Sequence, residues 1–397
     1  MAETGNTNSG LEGVVVADTR LSEVDGERGR LIIAGRDVES LAGEGTFEDA
    51  CALLWSLAAP AEGGREPGSP LRVDAGALRA SLGQARADAF VRLDQLGDAL
   101  AAEDGSAALR TAIGHIPSGP AAPFDLAEAA RLTGAMAVFA AAWSRRQRNL
   151  APLAPDPSLG HATDYLRMIL GTAPTTAATR GMNAYLVTIS DHGMNASTFA
   201  ARVVASTGSD AVSAITAAVG ALKGPLHGGA PGPVLDMLDA IGTPDRAVSF
   251  LEGELLAGRR IMGMGHRVYR VRDPRAAVLE RALLEFERGT EGVREDSPAT
   301  TPGGQAPRAP GMARLDLARA VESAAVGVLR ARHPNRPLHA NVEFYTAVLL
   351  DALGLPRTLF TPTFGVGRVA GWYAHYAEQR ATGRLIRPAS RYVGPPV

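Results

Sequence analysis

Cysteine is almost missing from this chain of 397 residues: Cys51 stands alone. Disulfides within the chain and multi-cysteine metal sites are therefore excluded. Its setting, "FEDACALLW", has helical apolar spacing and predicts a small buried side chain. Lysine is almost missing too, since Lys223 is the only one and every other cation is arginine, the side chain best shaped to fork onto carboxylates and phosphates. No bulk charge of one sign is present. The net charge of -2 offers no field for nucleic acid or an anionic membrane. The longest apolar stretch, "GAMAVFAAAW", is too short to cross a bilayer, and "MAETGNTNSG" lacks the basic start and apolar stretch of a secretion signal. A cytoplasmic location is the expectation.

What is present is helix-forming material. Hydrophobic residues make up 46% and charged residues 21%, the balance of a globular protein with a substantial core. From Leu11 to Gly35 two apolar runs flank a turn at Asp25-Gly26, which predicts β-structure. Helical spacing follows almost everywhere. "TFEDACALLWSLAA" opens on a threonine cap, and "DLAEAARLTGAMAVFAAAWSRRQR", "SDAVSAITAAVGALKG", "AVSFLEGELLAGRRIMG", "PRAAVLERALLEFER" and "ARLDLARAVESAAVGVLRAR" obey the same period. The fold class expected is all-α with a small N-terminal β-element. Two stretches interrupt the pattern: "PAEGGREPGSPLRVDAG", and a Pro/Gly-rich insertion over residues 289–312 that reads as a surface loop between helices.

Chemistry-bearing residues collect in the glycine-rich breaks. His192, His227 and His266 lie in "SDHGMNAS", "KGPLHGGAPG" and "MGMGHRVYRVRDPR". Glycines there let backbone and ligand approach closely, and helix ends offer unpaired N–H groups. His115, His161, His333, His339 and His375 lack that setting and read as ordinary. No histidine pair has zinc-helix spacing with an intervening acid, so no metal is expected. A G-x-S-x-G elbow and a Walker phosphate loop are both missing. "GVGRVAG" has the wrong spacing for a dinucleotide fingerprint and reads as a helix-packing contact. Arg267, Arg270, Arg272 and Arg275 follow His266, with Arg368 and Arg387 farther on. Pattern alone leaves two readings open: salt bridges to the chain's own acids, or an anion-binding site. Glu343, in "HANVEFYTAV", likewise reads as a helix-start acid or as a base held in a cleft.

These stretches, in this order, resemble the citrate synthase family over nearly the whole chain, and "GHRVYRVRDPR" is the most specific of them. The resemblance implies a homodimeric enzyme with a large helical domain over residues 1–227 and 346–397 and a small domain over 228–345. It would condense the methyl carbon of acetyl-CoA with the ketone of oxaloacetate and hydrolyse the citryl thioester, without metal or redox cofactor. By the same resemblance His227 would stabilise the enol or enolate and His266 would polarise the ketone. His192, Arg275, Arg368 and Arg387 would hold oxaloacetate, Arg387 reaching across from the partner subunit, and Arg270 would lie near CoA phosphate. Glu343 falls where the family usually carries the aspartate base, one methylene longer. Two alternatives share these motifs: a 2-methylcitrate synthase using propionyl-CoA, and a non-catalytic relative that binds CoA or dicarboxylates.

Overall fold

The computed structural model describes residues 10–11, 13–59, 73–119, 122–227, 231–294, 310–335 and 338–395. Three short strands, β1 (Ser22–Asp25), β2 (Arg30–Ile33) and β3 (Arg36–Asp37), form an antiparallel sheet in that order. β1 and β2 make a hairpin with Asp25 opposite Arg30, so the expected turn at Asp25-Gly26 is in place. The first apolar run is not a strand. Val14–Val16 has no strand partner among the described residues, and Val15 stands 84% exposed.

Fifteen α-helices follow among the described residues. They are α1 (Val38–Glu44), α2 (Phe47–Ala58), α3 (Ala75–Val91), α4 (Gly105–Gly114), α5 (Leu126–Arg146), α6 (His161–Leu170), α7 (Thr176–Ile189) and α8 (Ala196–Ser206). The chain continues through α9 (Ala211–Leu222), α10 (Pro231–Ile241), α11 (Ala247–Leu256), α12 (Pro274–Arg294), α13 (Pro310–Arg332), α14 (Val342–Ala352) and α15 (Phe360–Thr382). Polar caps set many of the starts. Thr46 and Asp49 close a capping box on α2, and Asp74, Asp104, Asp125, Thr175, Asn195, Asp210 and Asn341 each accept a backbone N–H in the first turn of the helix they open. None of the described helices is long and apolar enough to cross a membrane.

α12 corrects one expectation. It runs on to Arg294 because Gly289 is not a breaker there. A Cβ at Gly289 would lie 2.8 Å from Ala177, so the glycine is where α12 presses against α7. α13 likewise starts at Pro310, and the remainder of the expected insertion, 295–309, lies outside the described residues. So does most of the other Pro/Gly stretch, 60–72.

α15 is the central element. It is buried from Thr363 through Gln379 and carries Trp372, Tyr373 and Tyr376 into the core. The "GVGRVAG" segment is the packing contact its glycines suggested. A Cβ at Gly367 would come within 2.7 Å of Ile189, and one at Gly371 within 2.2 Å of the Ser190 carbonyl. Only glycine lets the end of α7 sit this close to α15. That approach sets Arg368 against the last turn of α7, beside the loop that bears His192.

Candidate active site

The site is assembled where two loops meet. The loop before α12 and the segment before α14 are joined by a single antiparallel bridge, Met264 to Ala340. Asn341 N–H donates to the Gly263 carbonyl at 2.9 Å, and Gly265 N–H donates to the His339 carbonyl at 2.7 Å. Asn341 does more. Its amide nitrogen donates to the Gly265 carbonyl at 2.8 Å while its Oδ1 caps α14 at Glu343 N–H, 3.0 Å. Gly263 and Gly265 have φ of +72° and +84°, and a Cβ at Gly263 would press on Phe344 at 2.9 Å. This frame fixes His266 and Glu343 relative to each other.

His266 Nδ1 accepts from the backbone N–H of Val268 (3.0 Å) and Tyr269 (3.2 Å). The proton of the neutral ring therefore sits on Nε2. Burial and then the Arg275 charge push its pKa down to about 4, so the ring is neutral at pH 7. Arg275 Nη2 lies 3.4 Å from Nε2. Two donors thus converge, a geometry that suits an oxygen atom shared between them. His192 meets the same group through Tyr269: its Nε2 is 3.1 Å from the Tyr269 hydroxyl, and the His192 and His266 ring centroids are 5.6 Å apart. Burial, Arg275 and Arg368 hold His192 well below the usual imidazole range.

His227 follows α9, with Nε2 2.7 Å from Ser197 Oγ. Trp372 Nε1 donates to that same hydroxyl at 3.0 Å, and Asn195 Oδ1 is 2.8 Å from it. The single Ser197 proton goes to Asn195 or to His227, so this hydroxyl sets the imidazole tautomer. Burial and then Arg368 lower the His227 pKa to about 4.

The arginines differ in kind. Arg275 is buried and forks Asp273 through Nε (3.0 Å) and Nη2 (2.8 Å). Asp273 also accepts Val342 N–H at 3.1 Å and so ties the arginine to the start of α14. Arg368 is 1% exposed, donates from Nε to the Ile189 carbonyl, lies 4.6 Å from the Phe364 ring centroid and makes no ion pair among the described residues. Burial lowers its pKa to about 10. A guanidinium left in that state calls for an anion. Its charge also bears on His192, His227 and Glu343 alike. Of the two readings of the arginine pattern, Arg275 meets an internal acid and Arg368 is free to take an external one.

Glu343 Oε2 is buried without a hydrogen-bond partner. Burial raises its pKa to about 7, against the pull of Arg275 and Arg368 and with help from Asp273. An exposed helix-start acid would have neither property. Arg270 and Arg387 stand apart from this cluster. Arg270 is exposed, 4.0 Å from Glu27, and Arg387 lies exposed on the coil after α15.

Sequence reasoning missed several supports. Tyr269 and Asp273 were inside the arginine motif, and Ser197 closes "DHGMNAS", yet only the fold shows what they touch. His375, read as ordinary, is wholly buried, accepting from Arg202 on Nδ1 (2.9 Å) and facing Asp191 from Nε2 (3.1 Å). It braces the residue before His192. The N-terminal hairpin matters in the same way: Arg270 N–H donates to the Gly26 carbonyl at 2.9 Å, and a Cβ at Gly26 would fall 2.3 Å from the Val268 carbonyl.

Comparison with known proteins shows the family. The family model described as "Citrate synthase, C-terminal domain" matches residues 10–389. A citrate synthase of Haloferax volcanii is 35% identical over 98% of this chain and 97% of its own, and a 2-methylcitrate synthase of Mycobacterium tuberculosis is 35% identical over 99% and 92%. Among solved structures, the ternary complex of carboxymethyl coenzyme A and oxaloacetate with citrate synthase from Thermoplasma acidophilum superposes with a TM-score of 0.78 at 26% identity, covering 98% of this chain and 96% of that one.

Proposed function

Since this chain belongs to the citrate synthase family, we propose that it condenses acetyl-CoA with oxaloacetate through an enol or enolate and hydrolyses the resulting citryl thioester. The observation that carries this reading is Glu343 Oε2, buried without a hydrogen-bond partner and within the fields of Arg275 and Arg368. A methyl group beside a thioester is a very weak acid, so a carboxylate removes its proton only while the charge developing on the carbonyl oxygen is stabilised. His227 is the donor for that oxygen. Being neutral, it can donate from Nδ1 when Ser197 turns its proton toward Nε2. His266 Nε2–H and Arg275 polarise the ketone. Arg368, Arg275 and His192 hold the diacid, and Arg270 lies toward the CoA phosphates.

The reading includes a cytoplasmic homodimer in which Arg387 of each subunit completes the other's diacid site. The exposure of Arg387 on an extended tail supports this. Residues 228–345 form the small domain that closes over the substrates and protects the enol from water. No resident metal or cofactor is required, because the family's chemistry uses none.

Release of free CoA thiol on mixing acetyl-CoA and oxaloacetate tests the proposal. A dicarboxylate-binding relative without catalysis would bind oxaloacetate and release none. The relative named 2-methylcitrate synthase supports a second reading, in which this chain uses propionyl-CoA. One methylene is worth about 1–3 kcal/mol in an apolar pocket, so kcat/KM for the two thioesters decides between them. The pH profile has a defined sign. Glu343 must be ionised and has a pKa near 7, so kcat/KM rises with pH through about 7. The two catalytic imidazoles, at about 4, stay neutral across that limb. An acid limb near the ordinary glutamate value would contradict the assignment.

Gly26→Ala probes the hairpin seat. The added Cβ would push the Val268 carbonyl and carry with it the N–H groups that fix His266. A displacement of about 1 Å lowers kcat/KM by about a hundredfold. Unchanged kinetics would show that the hairpin does not hold the loop.

A further inference from the structure

We propose that the Tyr185 hydroxyl, backed by Thr346, is a positioning residue for Glu343 that donates to the second oxygen of its carboxylate across the seam between α7 and α14. The inference rests on the reading of Glu343 as the base. Its starting point is a coincidence of three atoms. Glu343 Oε2 is buried without a hydrogen-bond partner, and the hydroxyls of the wholly buried Tyr185 and Thr346 have none except each other. Such atoms are rare in folded proteins, and each one calls for an explanation.

All three face the same seam. Glu343 and Thr346 stand one turn apart on α14, so their side chains share a face. Tyr185 is one turn beyond Gly181 on α7. A Cβ at Gly181 would lie 3.4 Å from Leu353 and 3.5 Å from Leu349, so this is the face of α7 that meets α14. The electrostatics agree. After burial, the Glu343 charge is the next influence holding Tyr185 well above the usual phenol range, while the Thr346 hydroxyl pulls the other way.

Phenylalanine would fill the Tyr185 site without burying a hydroxyl, so the hydroxyl needs a purpose. Glu343 is the carboxylate that faces it. Glutamate has one methylene more than aspartate, which lets its carboxyl swing back along α14 toward this hydroxyl. The donated hydrogen bond favours the ionised acid. The other charges facing Glu343 are Arg275 and Arg368, which act in the same direction, and Asp273, which opposes them.

The test is an infrared difference titration of the Glu343 carboxyl in the full-length protein, with Glu343→Gln as the blank, beside the pH profile of kcat/KM. Tyr185→Phe is expected to raise the midpoint by about one unit. Activity then falls about tenfold below the limb and recovers above it. In a Glu343→Asp background the same change has no effect, because the shorter acid does not reach the hydroxyl. An unmoved midpoint in Tyr185→Phe overturns the proposal, and so does a loss of activity equal at every pH. The two readings fail separately. Full turnover by Glu343→Gln removes the base itself, whereas an inactive Glu343→Gln with an unmoved Tyr185→Phe midpoint removes only the role of Tyr185.

Discussion

Replacing Glu343 with glutamine is expected to lower turnover by about 10²–10⁴-fold while oxaloacetate still binds. Glutamine keeps the length of the side chain and its place at the start of α14, but it cannot accept the methyl proton. On the proposed reading Arg275, Arg368 and His192 hold the diacid, so its affinity should change little. Stability supplies an independent sign. The folded protein holds this acid with a pKa near 7, above the ordinary 4.5, so the wild type loses stability as pH rises between those values. Glu343→Gln removes a carboxylate whose ionised form burial disfavours. The variant should therefore be more stable than the wild type at pH 8, by up to roughly 3 kcal/mol. Near pH 4.5 the difference should vanish. Denaturant midpoints at the two pH values check this, and a variant that is both active and no more stable would refute the assignment twice.

Asp273→Asn is expected to be the most damaging change outside the reacting groups. Asp273 is the carboxylate paired with the buried Arg275, and it also receives the first N–H of α14. Without it a guanidinium is left buried and uncompensated, at a cost of about 3–5 kcal/mol. Saturating oxaloacetate should recover part of that loss, because its carboxylate supplies the missing anion and it binds only the folded state. Unfolding curves with and without the diacid measure both effects. Equal stability of variant and wild type would mean that Arg275 does not depend on this pair.

The helices and the site motif were legible for different reasons. Amphipathic spacing and polar caps are local, so α2, α5, α9, α12 and α13 could be placed from the sequence. His192 and His266 were visible because each stands beside glycines of positive φ, Gly193, Gly263 and Gly265, and His227 because its segment has the same glycine-rich composition. Val14–Val16 misled because apolar composition alone does not supply a strand partner. Gly289 misled because a helix glycine can serve close packing as well as a break. Ser197 and His375 act through partners far along the chain, and Asp273 ties its near neighbour Arg275 to an N–H 69 residues on, none of which a local pattern encodes. The most informative property, the burial of Arg368 and of Glu343 Oε2, belongs to tertiary packing, so residue order could raise it only as one of two readings.

The most direct measurement is a crystal structure with oxaloacetate and a non-reactive acetyl-CoA analogue. The account predicts the Glu343 carboxylate within about 3–3.5 Å of the analogue's methyl position. His227 should donate to the carbonyl side, and His266 and Arg275 should share the ketone oxygen. A closed complex in which Glu343 faces bulk solvent, remote from both imidazoles, would contradict it.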